Sequence, residues 1–368
     1  MNRRDFIKYG TLLAGVGGFC VFCNDGIAFS QDNISEESLY DTRPCKKPFE
    51  YCEINVNGNI NPCCLTYLKY STSLGNIEKN DFNEVWNGKA LTDLRKKVLK
   101  GDFSMCRRNI CTMYDPCSAD EIPENYQKGP KELKISYDTE CNYKCITCRD
   151  VVKINSQEEM DKFENVYLPR IVAAAKDIKI LSLLGSGDPL FSRHSKHLMK
   201  EMVKANPKIK LNIFTNGFLL DEKLFTDLGI ENNIQGISVS VDAIKRETYK
   251  KILRTDGFDT VIKNIENFSK WKRDGKIDWM TINFVAHIMN YKEMPDFLKF
   301  AQKLDITAFF TTYNPWPTSE YRHRYHEVAV FEPKNKHYNE FVKILKNPIF
   351  KDEEHCFLEP RLYKIVYS

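Results

Sequence analysis

The chain has 368 residues, 42% of them hydrophobic and 28% charged, with 54 Lys and Arg against 50 Asp and Glu for a net charge of +4. That length holds two to three domains, the charge balance is too mild to call for a nucleic-acid partner, and no apolar run after the N-terminus reaches the ~18 residues of a membrane span. The unusual feature is 13 cysteines. They fall in close groups, which suits metal or cluster ligation better than a disulfide framework.

The chain opens MNRRDFIKYG. Arg3 and Arg4 are followed by Phe6, Ile7 and Lys8, a short, weakly apolar stretch over 11–22, and small residues near 28–30. This order resembles a twin-arginine (Tat) translocation signal, which implies export of an already folded protein to the periplasm, with a cytoplasmic location as the alternative. Residues 1–30 are therefore set aside from the fold. A cysteine-rich stretch over 43–120 follows, with a hairpin signal at 53–60 turning on Asn57-Gly58.

From about 130 onward, apolar runs alternate with helical periods. They predict strands over 134–138, 178–184, 210–215, 234–241, 278–286 and 307–313. Helices are predicted over 158–176, 195–205, 223–228, 258–273, 294–304 and 338–346. Six such units imply a parallel, right-handed array: a partial (β/α)6 TIM-type barrel over 130–347, two units short of closure. The fold class is thus α/β, with a small cysteine-rich N-terminal domain and a C-terminal extension over 348–368. In such folds the chemistry sits where strands end and loops begin.

The loop after the first strand of the array reads DTECNYKCITCRD and places Cys141, Cys145 and Cys148 in the spacing C-x3-C-x2-C. Four thiolates would saturate a [4Fe–4S] cube, whereas three leave one iron open to a small molecule. A structural zinc loop is the plain alternative. This motif, directly after the first strand of such an array, resembles the radical S-adenosylmethionine (SAM) superfamily.

The resemblance implies a [4Fe–4S] cluster on Cys141, Cys145 and Cys148, with SAM chelated at the open iron. It also implies a low-potential electron donor, reductive cleavage of SAM to a 5′-deoxyadenosyl radical, and hydrogen abstraction from a substrate. Gly185, Ser186, Gly187, Asp188 and Pro189 resemble the family's GGEP-type motif for the SAM amino group. Asn216 lies in a TNG turn like that of relatives. Ser240 and Asp242 end the fourth strand, where relatives contact the SAM ribose or carboxylate. Arg254 matches an arginine that in relatives pairs with the SAM carboxylate. Asn283 and Asn290 are weaker candidates of the same kind. Thr147 departs from the aromatic residue that many relatives set against the adenine.

The N-terminal stretch resembles a SPASM or twitch auxiliary-cluster module. Cys45, Gly58 and Cys63 match its opening, and Gly75-Asn76-Ile77, Trp86 and Arg95 follow in its order. The resemblance implies one auxiliary [4Fe–4S] cluster on Cys45, Cys63, Cys106 and Cys111, with Cys64 and Cys117 as alternates. Zinc on the same four thiolates is the alternative. In relatives the module follows the barrel, and here it precedes it.

Three smaller features complete the reading. The pairs His194/His197 and His323/His326 are expected on exposed surface. The aromatic, basic loop over 314–333 either covers the barrel mouth and contacts substrate or serves as a packing flap, and Cys356 is read as a buried, unreactive thiol. The chain is thus read as a radical SAM enzyme whose substrate, by analogy with relatives that carry such modules, is a peptide or protein. The runner-up is a non-catalytic iron–sulfur or zinc protein on the same scaffold, serving electron transfer or binding.

Overall fold

The computed structural model describes residues 43–64, 68–69, 73–108, 111, 113–122, 126–184 and 187–368. The twin-arginine segment, Cys20 and Cys23, Gly185 and Ser186 lie outside the described residues. The strands are β1 (Tyr51–Ile54), β2 (Asn59–Asn61), β3 (Gly75–Asn76), β4 (Glu132–Ile135) and β5 (Ile180–Leu183), then β6 (Lys210–Thr215), β7 (Ile234–Ser240), β8 (Trp279–Ala286), β9 (Thr307–Thr312) and β10 (Cys356–Leu358). They form one sheet in the order β10-β9-β8-β7-β6-β5-β4-β1-β2-β3.

Strands β4 to β9 are the expected array, each parallel to the next. The sheet does not stop there. β1 pairs parallel with β4, placing Tyr51 opposite Glu132, and β10 pairs parallel with β9. The cysteine-rich module is therefore continuous with the core sheet rather than a separate body. Residues 348–368 likewise belong to the core: β10 extends the sheet, and the helix Pro360–Tyr367 buries Leu362 and Val366. With β10 and β3 as its two edges, the barrel stays open.

Alternation along each strand sorts the two faces. Leu181, Leu183, Leu211, Ile213, Ile237 and Val239 join the main apolar core. The alternate positions are buried but polar: Ser182, Asn212, Ser238, Thr281 and Asn283. These inward polar groups pair across strands, with Asn212 Nδ2 donating to Ser182 Oγ at 3.4 Å and Thr281 Oγ1 to Ser238 Oγ at 2.9 Å. The cross-strand pairs satisfy groups that would otherwise be costly to bury.

Several local features differ from the sequence reading. The hairpin strand begins at Tyr51, two residues earlier than expected, and its turn uses Gly58 at φ +72°. The helix expected over 158–176 is broken: Gln157–Lys162 passes through a π-helical turn at Phe163–Tyr167 into Leu168–Ala173. A helix at Arg246–Leu253 was not expected. His194 is fully buried rather than exposed, its ring nitrogens 2.7 Å from both Tyr137 Oη and Glu164 Oε1. Among the described residues no helix is long and apolar enough to cross a membrane.

Candidate functional site

The cysteine loop leaves β4 through Asp138, a buried carboxylate that anchors it. Asp138 Oδ1 accepts from Asn155 Nδ2 at 2.8 Å and from the Glu140 amide at 3.2 Å. Asp138 Oδ2 accepts from Ser192 Oγ and, at 2.6 Å, from Ser195 Oγ. The loop is further pinned by Cys141 N–H to Lys153 O and Ile146 N–H to Ile252 O, both at 2.9 Å. The Cys148 and Arg149 amides close the final turn by donating to Cys145 O.

The three thiols share one environment. Burial pushes Cys141 up to about 12 and Cys145 well above its ordinary value, and each also feels Cys148. A thiol so placed keeps its proton at neutral pH unless a metal displaces it. Arg149 supplies opposing charge: Nε donates to Cys148 Sγ at 3.5 Å and Nη1 to Thr139 O at 2.8 Å.

Cys141, Cys145 and Cys148 line a cavity of about 1060 Å3, counting its open mouth, together with Asp188, Asn216, Ser240 and Asp242. Gly187 also lines it, and its backbone lies hard against the cysteine loop: a Cβ there would sit 2.3 Å from Glu140 O. This close approach explains the glycine. Asp188 Oδ1 accepts from the Leu190 and Phe191 amides, and Oδ2 from Thr215 Oγ1 and the Asn216 amide. Asn216 Nδ2 reaches Asn142 Oδ1 at 2.8 Å. Asp242 adopts φ +59°, and a non-glycine residue in this region costs roughly 1–3 kcal/mol. Asn290 holds it there, its Nδ2 donating to Asp242 O and Val285 O at 2.8 and 2.9 Å. Burial pushes the Asp242 carboxyl up to about 7, and the Val285 amide opposes that by donating to Oδ1.

Two expected residues stand elsewhere. Pro189 is buried and is not among the cavity residues. Arg254 caps the helix Arg246–Leu253 at φ +56° and pairs with Glu320, also outside the cavity lining. One further residue enters the site without having been singled out. Arg149 is the one Lys or Arg among the described residues that line the cavity. Its position directly after Cys148 was the available signal. Asn314 and Trp316, from the loop after β9, also face the cavity. That loop straps back onto the cysteine loop through Thr318 Oγ1 to Cys148 O at 2.6 Å and Ser319 Oγ to Ile146 O at 3.1 Å.

The residues fit an iron–sulfur cluster with an open position and a polar ligand beside it. Three thiols from one loop leave one coordination site. Asn283 Oδ1, on a residue that lines the cavity, is buried without a hydrogen-bond partner among the described residues, so a ligand donor there would satisfy it.

A second thiol group gathers beside β1. Burial is the largest cause raising these thiols: Cys106 to about 11, Cys111 to about 12, and Cys63 well above its ordinary value. Cys63 also responds to Cys111, Cys45 and Cys106, Cys106 to Cys45, and Cys111 to Cys45 and Cys106. All six pairs among Cys45, Cys63, Cys106 and Cys111 are thus within electrostatic reach. Cys64 is fully buried beside Tyr51 and Met113, and Cys117 Sγ lies 3.6 Å from Pro44 O. Among the described residues no cysteine forms a disulfide. Among the described residues no three cysteine sulfurs lie within 4.8 Å of one another. Trp86 and Arg95 form the module's core: Arg95 Nε and Nη1 donate to Pro48 O and Trp86 O at 3.0 Å, and the guanidinium lies 4.4 Å from the Trp86 ring.

Residues 136–301 match the family model described as "Radical SAM superfamily", and residues 45–112 match "SPASM: Iron-sulfur cluster-binding domain". The chain carries a radical SAM domain and, before it, a SPASM domain. The two matched domains imply [4Fe–4S] clusters and SAM. The chain is similar to a GTP 3′,8-cyclase of Synechocystis sp., at 25% identity over 193 residues, covering 51% of this chain and 56% of that protein. It is similar to a probable GTP 3′,8-cyclase of Saccharolobus islandicus at 30% identity over 190 residues, covering 50% and 56%. The matched stretch thus spans a little over half the length of these relatives. A crystal structure of Streptococcus suis SuiB bound to S-adenosylmethionine shares 17% identity at a TM-score of 0.46, covering 76% of this chain and 57% of that one.

Proposed function

We propose that this chain is a radical SAM enzyme that removes a hydrogen atom from a peptide or protein. The observation that carries the reading is the convergence of Cys141, Cys145 and Cys148 on one cavity with Asp188, Asn216, Ser240 and Asp242. The three cysteines would hold the SAM-binding cluster. Bound there, the cluster and SAM supply one-electron cleavage and hydrogen-atom abstraction. The chain's own residues do the rest. Asp138 and Asp188 fix the loops on either side of the thiols. Asn283 and Asp242 present polar groups to the bound molecule, and the strap carrying Asn314 and Trp316 closes one side of the mouth.

The charge of the cavity supports a peptide over a triphosphate nucleotide. Its one cation among the described lining residues, Arg149, has Nε and Nη1 committed to Cys148 and Thr139. A triphosphate needs several free cationic donors. The SPASM match supports Cys45, Cys63, Cys106 and Cys111 as an auxiliary cluster site. Tyr51, whose environment includes Cys63 and Cys64, lies opposite Glu132 at the start of β4. From Glu132 to Asp138 is six residues of extended chain, about 20 Å. An auxiliary cluster so far below the cysteine loop serves electron transfer better than direct contact with substrate at the mouth.

The test is anaerobic reconstitution with iron and sulfide, then an iron count and an assay for 5′-deoxyadenosine after dithionite and SAM. About eight irons per chain with SAM cleavage supports two cubes and an active enzyme. Iron without cleavage would overturn the enzymatic reading in favour of electron transfer or binding.

A further inference from the structure

Barrel interiors are usually filled by branched apolar side chains. The inner face where β1 meets β4 holds charge instead. Lys134 Nζ lies 3.4 Å from Glu53 Oε1, with side chains only 6% and 2% exposed. That pair is well satisfied, since Glu53 also accepts from Ser136 Oγ at 2.6 Å and from Tyr51 Oη at 3.4 Å.

One layer below, Lys47 Nζ lies 3.6 Å from Glu132 Oε2, with both side chains about nine-tenths buried. This separation is too long for a hydrogen bond. The Lys47 ammonium has other company: it lies 5.7 Å from the Tyr51 ring, and its charge acts on Cys45 and Cys63. Backbone amides favour the thiolate forms of two of the four cysteines: those of Asp115 and Lys47 at Cys45, and those of Met113 and Tyr114 at Cys111.

Burying an ammonium costs several kcal/mol unless opposite charge compensates it. Glu132, at this distance, and Asp115 compensate it only in part. Thiolates around a cluster add to them. The reduction potential of an iron–sulfur cluster depends on nearby charge, hydrogen bonds to sulfur and burial. Reduction adds one negative charge, and a cation held out of water favours the reduced state.

We propose that Lys47 raises the reduction potential of the auxiliary cluster and that Glu132, on the first core strand, offsets part of that effect. The inference rests on the reading of Cys45, Cys63, Cys106 and Cys111 as an auxiliary cluster site. It gives the fusion of module and barrel a consequence. Because β1 pairs with β4, a carboxylate of the SAM-binding core helps to set how readily the module's cluster takes an electron.

The experiment is a redox titration of the full reconstituted chain followed by electron paramagnetic resonance. SAM addition perturbs the three-cysteine cluster and so separates its signal from the second one. For Lys47→Met, the reduced-to-oxidised ratio of the SAM-insensitive cluster at fixed poise is expected to fall about tenfold, a shift of about 59 mV for a one-electron couple. Lys47→Arg is expected to stay near wild type, and Glu132→Gln to shift the ratio the other way. The SAM-sensitive signal should not move in any of them. An unchanged second potential in Lys47→Met overturns the proposal. If Lys47→Met fails to assemble the second cluster, Glu132→Gln decides: a raised potential supports the proposal and an unchanged one overturns it. A wild-type chain with only the SAM-sensitive cluster overturns the auxiliary-site reading itself.

Discussion

The Asp188 carboxylate accepts the Asn216 backbone N–H at 2.7 Å, which ties the loop after β5 to the loop after β6 at the cavity wall. Three further donors end on the same carboxylate: the Leu190 and Phe191 amides and Thr215 Oγ1. Asp188→Ala would leave three of these donors without their acceptor, since the Phe191 amide also donates to Asp188 O at 3.1 Å, at about 1–3 kcal/mol for each group that stays buried. A total loss of about 4 kcal/mol is expected, with Asp188→Asn intermediate because it retains one acceptor oxygen. Thermal melts of the three chains check this. A loss under about 1 kcal/mol in Asp188→Ala would mean that water replaces the carboxylate.

Arg254 and Glu320 form a partly exposed ion pair beside the strap, with side chains 28% and 49% exposed. Pairs of that exposure contribute about 0–1 kcal/mol. Since Arg254 is not among the cavity-lining residues, Arg254→Ala is expected to leave SAM affinity within about fivefold of wild type. SAM titration of the reduced cluster's resonance signal measures it. A loss well beyond tenfold would place Arg254 on the SAM carboxylate, as the family resemblance implies.

The parts of this molecule legible in the sequence are those written in local spacing. The C-x3-C-x2-C loop, the apolar runs of β5 to β9 and the turn at Gly58 each lie within a dozen residues, and each stands near its expected place. Pairings across long loops were not legible. Nothing near Tyr51 announces that it lies opposite Glu132, and nothing in the short run Cys356–Leu358 marks it as a sheet strand. His194 shows the same limit: its i, i+3 spacing with His197 suits a surface helix, but Glu164 and Tyr137, distant in sequence, bury it. Arg149 belongs to the cavity through the folding of its loop, which no periodicity records.

The two thiol groups are expected to fail independently. Cys145→Ala removes one of three ligands from the loop that lines the cavity, so SAM cleavage should be lost while about four irons remain. Cys63→Ala removes the member of the second group that responds to all three others. It should also bring iron to about four, with the SAM-sensitive signal intact. Iron analysis and resonance spectra of both variants distinguish the cases. Loss of the SAM-sensitive signal in Cys63→Ala would show that the two sites are not separate.

The last expectation concerns pH. Burial pushes the Asp242 carboxyl up to about 7, whereas an aspartate in an unfolded chain titrates near about 4. Between those values the folded chain keeps a proton that the unfolded chain has released. The contribution of this residue to stability is therefore intact below about pH 4 and is lost progressively as pH rises to about 7. Above that the loss is constant, at most about 4 kcal/mol. Asp242→Asn removes the titration while leaving an oxygen for the Val285 amide, and asparagine tolerates the left-handed backbone at this position. The variant should therefore gain on wild type as pH is raised from about 4 to 7, then run parallel to it. Melts of both chains across that range give the difference directly, with the other carboxylates cancelling. A constant gap would mean that Asp242 ionises at an ordinary value, and that the cavity is better hydrated around it than its burial suggests.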